Sequence, residues 1–363
     1  MIDSEKNATH SQQHNLSRPS FFNLSAKNDK QALTDLLKSG HVRAVDTYES
    51  QLRDYFEIKN PTLVFSPELK SKFSAYLEDL KKESTIEEQG IWVYLPWRNT
   101  VTHILIENEF QEVRTARNKN LITAEEQAKF YHSTIGIAGL SVGNSVALAI
   151  VLQGGGRHLK LADFDSLELT NTNRIRASID GLGLKKVELT AQQIYELNPY
   201  AELELFPDGL TEKNMDNFFE GLDIVIDEID NLAMKWKIRE FAQKFKLPVL
   251  MGADNGDGVV IDIERYDLTS DLEFFNGRLP GVSYEKLKNL GKIETGQLIT
   301  QLVGPENVGQ RMLGSLSEIG KTLVSWPQLG GAATLNGSAI SCYARKILNN
   351  QAVNFKRIIF SFK

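Results

Sequence analysis

The sequence contains a single cysteine, Cys342, among its 363 residues. One thiol cannot close an internal disulfide, and it is too few for the thiolate cages that hold structural zinc. A disulfide-stapled or zinc-braced protein is therefore excluded. Because Cys342 falls in the helical run Ala339–Leu348, we expect it to pack as a small buried residue rather than to act as a nucleophile.

Long apolar runs and an excess of positive charge are also lacking. No stretch approaches the ~20 apolar residues that a membrane-spanning helix needs. The opening residues, Met1–Lys6, do not show the basic and then apolar layout of a secretory signal. With 41 basic and 47 acidic residues the net charge is −6, which argues against a protein that coats nucleic acid. We expect a cytoplasmic enzyme or regulatory domain.

The first third of the chain offers little readable chemistry. Residues 1–28 are rich in Ser, Asn, Gln and His and predict a disordered tail. Residues 29–111 predict a small α+β accessory domain, with a strand at Pro61–Pro67 and a helix at Glu68–Lys82. The aromatic stretch Ile91–Trp97 would suit a ligand shelf, but core packing is favoured because large aromatics near strands are usually buried.

Strands and helices alternate regularly beyond residue 132. The predicted strands are Ser133–Ala138, Leu159–Asp163, Leu203–Phe206, Leu222–Asp227 and Pro248–Met251. The predicted helices between them are Asn144–Leu152, Val187–Leu197 and Leu232–Phe245. Leu222–Asp227 is almost wholly apolar, as is typical of a parallel strand buried on both faces. The alternation predicts an α/β fold, a Rossmann-like doubly wound and mostly parallel sheet.

A glycine turn, Gly139–Gly143, joins the first of these strands to its helix. At such a turn backbone N–H groups at the helix N-terminus can bind a phosphate. Asp163, 20 residues after Gly143, ends the second strand, where a carboxylate commonly binds ribose. The Gly-x-Gly-x-x-Gly spacing of dinucleotide-binding turns is not met in either register, however. On these residues alone, nucleotide binding and a tight structural turn both remain open.

Several motifs in a fixed order carry a more specific signal. Asp163–Asp165 is followed by Thr170–Arg174 and Gly183–Lys186, which resemble the Asp-x-Asp, Ser/Thr-Asn-x-x-Arg and Gly-x-x-Lys motifs of the ThiF/MoeB/HesA superfamily, the ubiquitin-activating-enzyme-like adenylyltransferases. Further matching segments are Arg114–Arg117, Asn198–Pro199, Asp227–Asn231, Pro327–Gly331 and Gly337–Ala339. The resemblance covers roughly residues 112–349, so we expect residues 112–363 to form a ThiF-type adenylation domain.

The resemblance implies a set of catalytic residues. Lys186 and Arg174 would bear on the α- and β/γ-phosphates of ATP. Arg117 would be a third cation, delivered from the neighbouring subunit of a homodimer. Asp230 would hold Mg²⁺, a hard cation that prefers carboxylate and phosphate oxygens. Most lone charged residues are surface residues, and it is the joint order of these motifs that favours the functional interpretation.

The same resemblance implies which residues bind the cofactor. Gly139, Ser141 and Gly143 would form the turn against the nucleotide, Asp163 would bind the ribose, and Asn171 would assist near the phosphates. Asp165 is interpreted instead as a brace for its own loop. ATP and Mg²⁺ are the cofactors so implied.

The function implied is ATP-dependent adenylation of a carboxylate with release of pyrophosphate. The carboxylate would belong to a small molecule, a peptide or the C-terminus of a carrier protein of the ubiquitin-like or sulfur-carrier kind. Many members of the superfamily transfer the acyl group to a cysteine, but no cysteine lies between Pro248 and Trp326, so a thioester is not expected. Two alternatives stay open: an NAD(P)-dependent oxidoreductase, which the glycine turn and Asp163 would permit, and a non-catalytic binding homologue.

Overall fold

A computed structural model describes residues 18–269 and 271–362. Within that range the chain forms two compact units. The first ends at Thr123 and also includes Tyr195–Tyr200, while the second comprises Ala124–Ile194 and the chain from Ala201 onward. The predicted division at residues 111/112 falls inside a helix, Glu107–Arg114, and the assignment of separate domains stays a prediction.

The first unit is built on a four-stranded sheet in the order β1-β3-β4-β2. Its strands are β1 (Ser20–Phe22), β2 (Arg43–Asp46), β3 (Ile91–Leu95) and β4 (Thr100–Ile104). Its helices are α1 (Lys27–Lys38), α2 (Tyr48–Lys59), α3 (Leu69–Lys81) and α4 (Glu107–Arg114). Only β2 and β4 pair in parallel, and the other two pairs are antiparallel. Helix α3 matches its predicted span to within one residue at each end.

Two features of this unit differ from the sequence-based predictions. Ser20–Phe22 lie within the predicted disordered tail, yet they pair with β3 as an edge strand. Pro61–Pro67 is not a strand: Pro61–Leu63 form a 3-10 turn, and Phe65 is almost fully exposed. Proline at the first position of a helical turn loses no hydrogen bond, whereas in a sheet it removes a ladder donor. Residues 1–17 of the predicted tail lie outside the described residues.

The aromatic residues of β3 pack in the core, as the sequence favours. Trp92 is buried and stacks on His103, with ring centroids 4.4 Å apart. Tyr48 stacks on the opposite face of His103 at 4.1 Å. The buried imidazole also contacts Asp46 Oδ1 through Nδ1, at 3.1 Å, and the carbonyl oxygen of Gln89 through Nε2, at 2.7 Å. These contacts form a packed sandwich in the first unit.

The second unit contains a seven-stranded sheet in the order β11-β10-β9-β8-β5-β6-β7. Its strands are β5 (Thr134–Ala138), β6 (His158–Ala162), β7 (Glu202–Phe206), β8 (Ile224–Asp227), β9 (Pro248–Asn255), β10 (Gly258–Arg265) and β11 (Arg357–Phe360). Strands β5 to β9 are mutually parallel, and β10 and β11 extend the sheet antiparallel. The structure therefore confirms the predicted mostly parallel α/β sheet.

The helices of this unit follow the predicted alternation and then add a C-terminal set. They are α5 (Ala124–His132), α6 (Val142–Leu152), α7 (Lys186–Leu197), α8 (Met215–Phe219), α9 (Leu232–Phe245), α10 (Tyr284–Lys288), α11 (Lys292–Val303), α12 (Gln310–Leu316) and α13 (Gly330–Leu348). Helix α6 is buried along nearly its whole length. It lies so close to α13 that a Cβ at Gly337 would overlap the backbone of Ser145.

A buried ionic network joins β8, α9 and β10. Arg239 is fully buried and donates to Asp227, and its guanidinium lies 2.8 Å from Glu264. Lys235 Nζ lies 3.1 Å from Asp227 Oδ1. Burial opposes ionisation of Asp227, but the two cations outweigh it, so the pKa of Asp227 lies below its usual range. Tyr266 also donates to Glu264, at 2.8 Å.

We predict that Arg239→Met lowers the free energy of unfolding by about 3–5 kcal/mol, because it leaves the buried Glu264 without its cation and Asp227 with Lys235 alone. Lys244→Met is the matched control: on the same helix, Lys244 pairs with Asp216 at 2.6 Å, but both side chains are exposed. Breaking an exposed pair should cost less than about 1 kcal/mol. Urea denaturation of both variants measures the difference, and equal losses would contradict the prediction.

Candidate functional site

The candidate site lies where the strand order of the parallel sheet reverses. Strands β5 and β8 are neighbours in the sheet although β6 and β7 lie between them in sequence. Ligands of open α/β sheets bind outside the carboxyl ends of the strands at such a switch point. Gly139, directly after β5, has φ +88°, and a Cβ there would overlap the carbonyl of Glu228, directly after β8. Only glycine permits this approach of the two strand ends.

Asp163 ties the glycine turn to the loop after β6. Its Oδ2 accepts a hydrogen bond from the backbone N–H of Leu140 at 2.7 Å, and its Oδ1 accepts one from Asp165 at 2.8 Å. Burial raises the pKa of Asp163, against the effect of these two bonds and of Lys186. The residue lies at the strand end where the sequence places it, and its role toward ribose stays a prediction.

Arg174 reaches back over the glycine turn from the loop after β6. Its Nε donates to Ser141 Oγ at 3.0 Å, and its Nη1 donates to Asn173 Oδ1 at 3.0 Å and to the carbonyl of Thr170 at 3.3 Å. Burial lowers the pKa of Arg174, whereas the charges of Asp230 and Asp254 act to raise it. The guanidinium is therefore held at the turn by uncharged partners, with carboxylates nearby.

Lys186 is the first residue of α7, and its side chain is almost fully buried. Its Nζ lies 2.8 Å from Asp165 Oδ2, and its backbone N–H donates to the carbonyl of Asp165 at 2.9 Å. The Asp165 side chain is about half exposed, at 51%. The arrangement agrees with the interpretation of Asp165 as a loop brace, and it supplies Lys186 with a counter-ion that a bound phosphate would have to displace.

Two predicted site residues have structural surroundings that the sequence left open. Asn171 Oδ1 accepts from the backbone N–H of Glu168 at 3.0 Å, which stabilises the short helical turn of the loop. Asp230 is exposed and does not cap α9, because Asn231 is the N-cap residue and accepts from Met234 N–H at 2.9 Å. The Asp230 carboxylate thus remains open to solvent beside the strand end.

The structure says less about the two remaining predictions, Arg117 and a metal site. Arg117 lies in a 3-10 turn, Ala116–Asn118, of the first unit, and its approach to a nucleotide stays a prediction. Among residues 18–269 and 271–362, no three His, Cys, Asp or Glu side chains are placed to hold a metal ion by themselves. Within the same residues, no helix has the length and apolar character needed to cross a membrane.

Three residues at the same edge of the sheet were not predicted. Glu228 follows β8, Asp254 lies near the end of β9, and Asn336 is fully buried in α13. Asn336 Nδ2 lies 3.4 Å from both Glu228 Oε2 and Asp254 Oδ1. The backbone N–H of Gly252 donates to Glu228 Oε1 at 3.1 Å. The position of both acids at ends of parallel strands was the available signal.

Both acids of this group are hard to ionise. Burial is the largest cause in each case. It raises the pKa of Asp254 to about 6, against the effects of Asn336 and Arg174. The pKa of Glu228 also lies well above its usual range, because the nearby Asp254 and Asp227 add to the effect of burial.

The comparison with known proteins agrees with this geometry. Residues 115–272 match the ThiF family. They include the glycine turn, Asp163, Arg174, Lys186 and Asp230.

Residues 115–272 of the chain form a ThiF-family domain.

Its relatives include the uncharacterized protein MT1398 of Mycobacterium tuberculosis, 36% identical over 72% of this chain and 36% of that protein. The tRNA threonylcarbamoyladenosine dehydratase of Bacillus subtilis is 34% identical over 39% of this chain and 57% of that enzyme. The crystal structure of PaaA shares the fold, with a TM-score of 0.50 and 18% identity over 70% of this chain and 77% of PaaA. The chain thus spans between about a third and three fifths of the length of such curated relatives.

We predict that Asp254→Asn stabilises this ThiF-family protein at neutral pH. Because folding raises the pKa of Asp254, ionisation of its carboxyl opposes folding. The contribution of the protonated carboxyl to the free energy of unfolding is complete below about pH 4 and is lost as the pH rises through about 6. The variant should exceed the wild type by up to about 3 kcal/mol above pH 7 and equal it near pH 4. Denaturation curves between these values measure the gap, and a gap independent of pH would contradict the assignment.

Proposed function

We propose that the protein adenylates a carboxylate with ATP and releases pyrophosphate. The observation that carries this proposal is that Arg174 and Asp163 both contact the glycine turn at the switch point of a ThiF-family domain. Lys186 pairs with Asp165 and acts electrostatically on Asp163. The superfamily resemblance implies phosphate-binding roles for Arg174 and Lys186 and a ribose-binding role for Asp163, and these roles are part of the proposal. An oxidoreductase would need no such pair of cations beside the turn.

The chemistry requires positive charge at fixed places. A substrate carboxylate oxygen bonds to the α-phosphorus of ATP, and the bond from that phosphorus to the bridging oxygen of pyrophosphate breaks. Negative charge gathers on phosphoryl oxygens as this happens, so preplaced cations lower the barrier. Arg174 suits the task because its planar fork can hold two phosphate oxygens. Lys186 would exchange Asp165 for phosphate, and the exposure of Asp165 lets water take over its carboxylate.

Mg²⁺ would complete the charge balance of ATP. The exposed carboxylate of Asp230 fits a hard cation that also binds phosphate oxygens. A single protein carboxylate is sufficient where the nucleotide and water supply the remaining ligands. We therefore assign Asp230 to Mg²⁺ as part of the ATP complex, with Asp163 bound to ribose and Asn171 beside the phosphates.

No cysteine thioester follows the adenylate in this proposal. Cys342, the only thiol, is half-buried in α13, with Arg345 Nη2 4.0 Å from its sulfur. The N-terminus of α13 is the end beside Arg174, since a Cβ at Gly330 would overlap the carbonyl of Asn173. Cys342 lies 12 residues further along the helix, about 18 Å at 1.5 Å per residue. In this proposal the chemistry stops at the adenylate, or the activated acyl group passes directly to an outside nucleophile.

The partners proposed are a carboxylate-bearing substrate and a second copy of the chain. The substrate would be a small molecule, a peptide, or the C-terminus of a ubiquitin-like or sulfur-carrier protein. A homodimer would let Arg117 of one subunit reach the nucleotide of the other, as the superfamily resemblance implies. We place the protein in the cytoplasm on the sequence arguments above.

We predict that Lys186→Ala and Arg174→Ala each lower ATP–pyrophosphate exchange about 10²–10³-fold, the usual cost of one charge-stabilising group. Exchange is measured with pools of amino acids, short peptides and amine-free carboxylic acids. Lys213→Ala is the control, because Lys213 is an exposed lysine of the same unit. Exchange by Lys186→Ala at the wild-type rate would overturn the assignment. Absence of both exchange and ATP binding in the wild type would favour a non-catalytic homologue.

A further inference from the structure

The Glu228–Asp254–Asn336 group, defined above by its two carboxyls and one amide, is not used by the adenylation chemistry just described. Its members come from the ends of β8 and β9 and from the middle of α13. All three elements meet at the carboxyl edge of the sheet, where the candidate nucleotide site also lies. Glu228 directly adjoins that site, since a Cβ at Gly143 would lie 3.5 Å from the Glu228 side chain.

The group has more hydrogen-bond acceptors than donors. Both carboxyls share the Asn336 Nδ2 amide, at 3.4 Å each, and one of them also accepts from Gly252 N–H. Within residues 18–269 and 271–362, the buried atoms Asp254 Oδ2 and Asn336 Oδ1 have no hydrogen-bond partner. Buried polar atoms are nearly always satisfied in folded proteins, so an unmatched pair of acceptors indicates a missing donor. The fully buried Asn336 supplies one of these two atoms.

A positive charge, the guanidinium of Arg174, lies beside the Glu228–Asp254–Asn336 group. Arg174 interacts electrostatically with the carboxyl of Asp254 and with the exposed carboxyl of Asp230, so a cation lies close to the group. Arg174 donates its hydrogen bonds to uncharged oxygens. Asp254 Oδ2 accepts no hydrogen bond from the described residues. A molecule with a carboxylate at one end and a hydrogen-bond donor at the other would match both.

We propose that the Glu228–Asp254–Asn336 group binds the ammonium group of the substrate, so that the carboxylate adenylated by this protein carries a protonated amine, as an amino acid does. This inference rests on the proposed function and names its substrate class. The ammonium donates to Asp254 Oδ2 and Asn336 Oδ1, and the carboxylate lies toward Arg174 and the α-phosphate. Asp254 is a specificity-determining residue in this arrangement, and it takes no part in the phosphoryl step.

A cation with several hydrogen-bond donors fits these atoms better than a metal ion. Among the described residues, no three potential ligands are placed to hold a metal ion. An ammonium group needs fewer partners, and it would favour the ionised form of Asp254 by placing a positive charge against it. A neutral amide N–H, as beside a peptide C-terminus, could donate once, but it would leave the carboxylate charge uncompensated.

Thermal-shift and calorimetric titration of the full chain, with a non-hydrolysable ATP analogue present, test the proposal directly. The probes are matched pairs: L-alanine against propionate, L-phenylalanine against 3-phenylpropionate, and L-leucine against 4-methylpentanoate. We expect the wild type to bind at least one amine-bearing acid 10-fold or more tightly than its partner. Asp254→Asn should reduce that preference to less than about 3-fold, because the variant keeps the shape but loses the charge.

Asp257→Asn is the matched control, since Asp257 is exposed at the tip of the hairpin that follows Asp254. It should retain the wild-type preference. Equal binding within every pair, no binding of any amine-bearing acid, or a preference unchanged in Asp254→Asn would each overturn the proposal. Because binding is measured without turnover, the proposed ammonium subsite and the proposed adenylation activity can be refuted independently of each other. An amino-acid preference without pyrophosphate exchange would refute adenylation alone, and exchange with amine-free acids alone would refute the ammonium subsite.

Discussion

The close approach of Gly139 to the carbonyl of Glu228 is the constraint on which the candidate site depends. It brings together the carboxyl ends of β5 and β8, two strands that are distant in sequence. The turn so formed places the Leu140 N–H against Asp163 and presents Ser141 to Arg174. A side chain at position 139 would be strained by its positive φ and would also separate the strand ends. The geometry of the candidate nucleotide site and the packing of the sheet therefore both depend on one glycine.

Two consecutive acids at the end of β8 have opposite surroundings. Asp227 points to Lys235 and Arg239, and its charge is fully compensated within the core. Glu228 points to the other side, where an amide and one backbone N–H are its hydrogen-bond partners. Successive side chains of a strand face opposite sides, so this contrast follows from the backbone. The first acid belongs to the buried ionic network, and the second brings a carboxyl with a raised pKa to the carboxyl edge of the sheet.

The sequence was sufficient for the central sheet because strands β5 to β9 alternate with helices along the chain. It did not predict β10 and β11, which are joined to the sheet by antiparallel pairing rather than by the strand–helix alternation. Strand β1 was also missed, since a three-residue edge strand has no measurable period. Pro61–Leu63 was misread because proline favours both turns and strand ends.

The candidate site was predictable to the extent that its residues occur in ordered local motifs. Asp163, Arg174 and Lys186 lie within one stretch of the chain, in or beside the loop that follows β6. Asn336 and Asp254, by contrast, are 82 residues apart and meet only through the packing of α13 on the sheet. Periodicity and motif spacing do not report such a contact.

The balance of charge across the site connects these observations. Lys186 has a counter-ion in Asp165, which is half exposed and so can be released to water. Arg174 has no comparably placed partner, because its hydrogen bonds go to a hydroxyl, an amide and a carbonyl. The carboxyl of Asp254 resists ionisation near it, so the cation is only partly offset. An incoming phosphate would find Arg174 already held in place by neutral groups, and it would have to displace a carboxylate only at Lys186. Affinity for the nucleotide should therefore depend on Arg174 more than on Lys186.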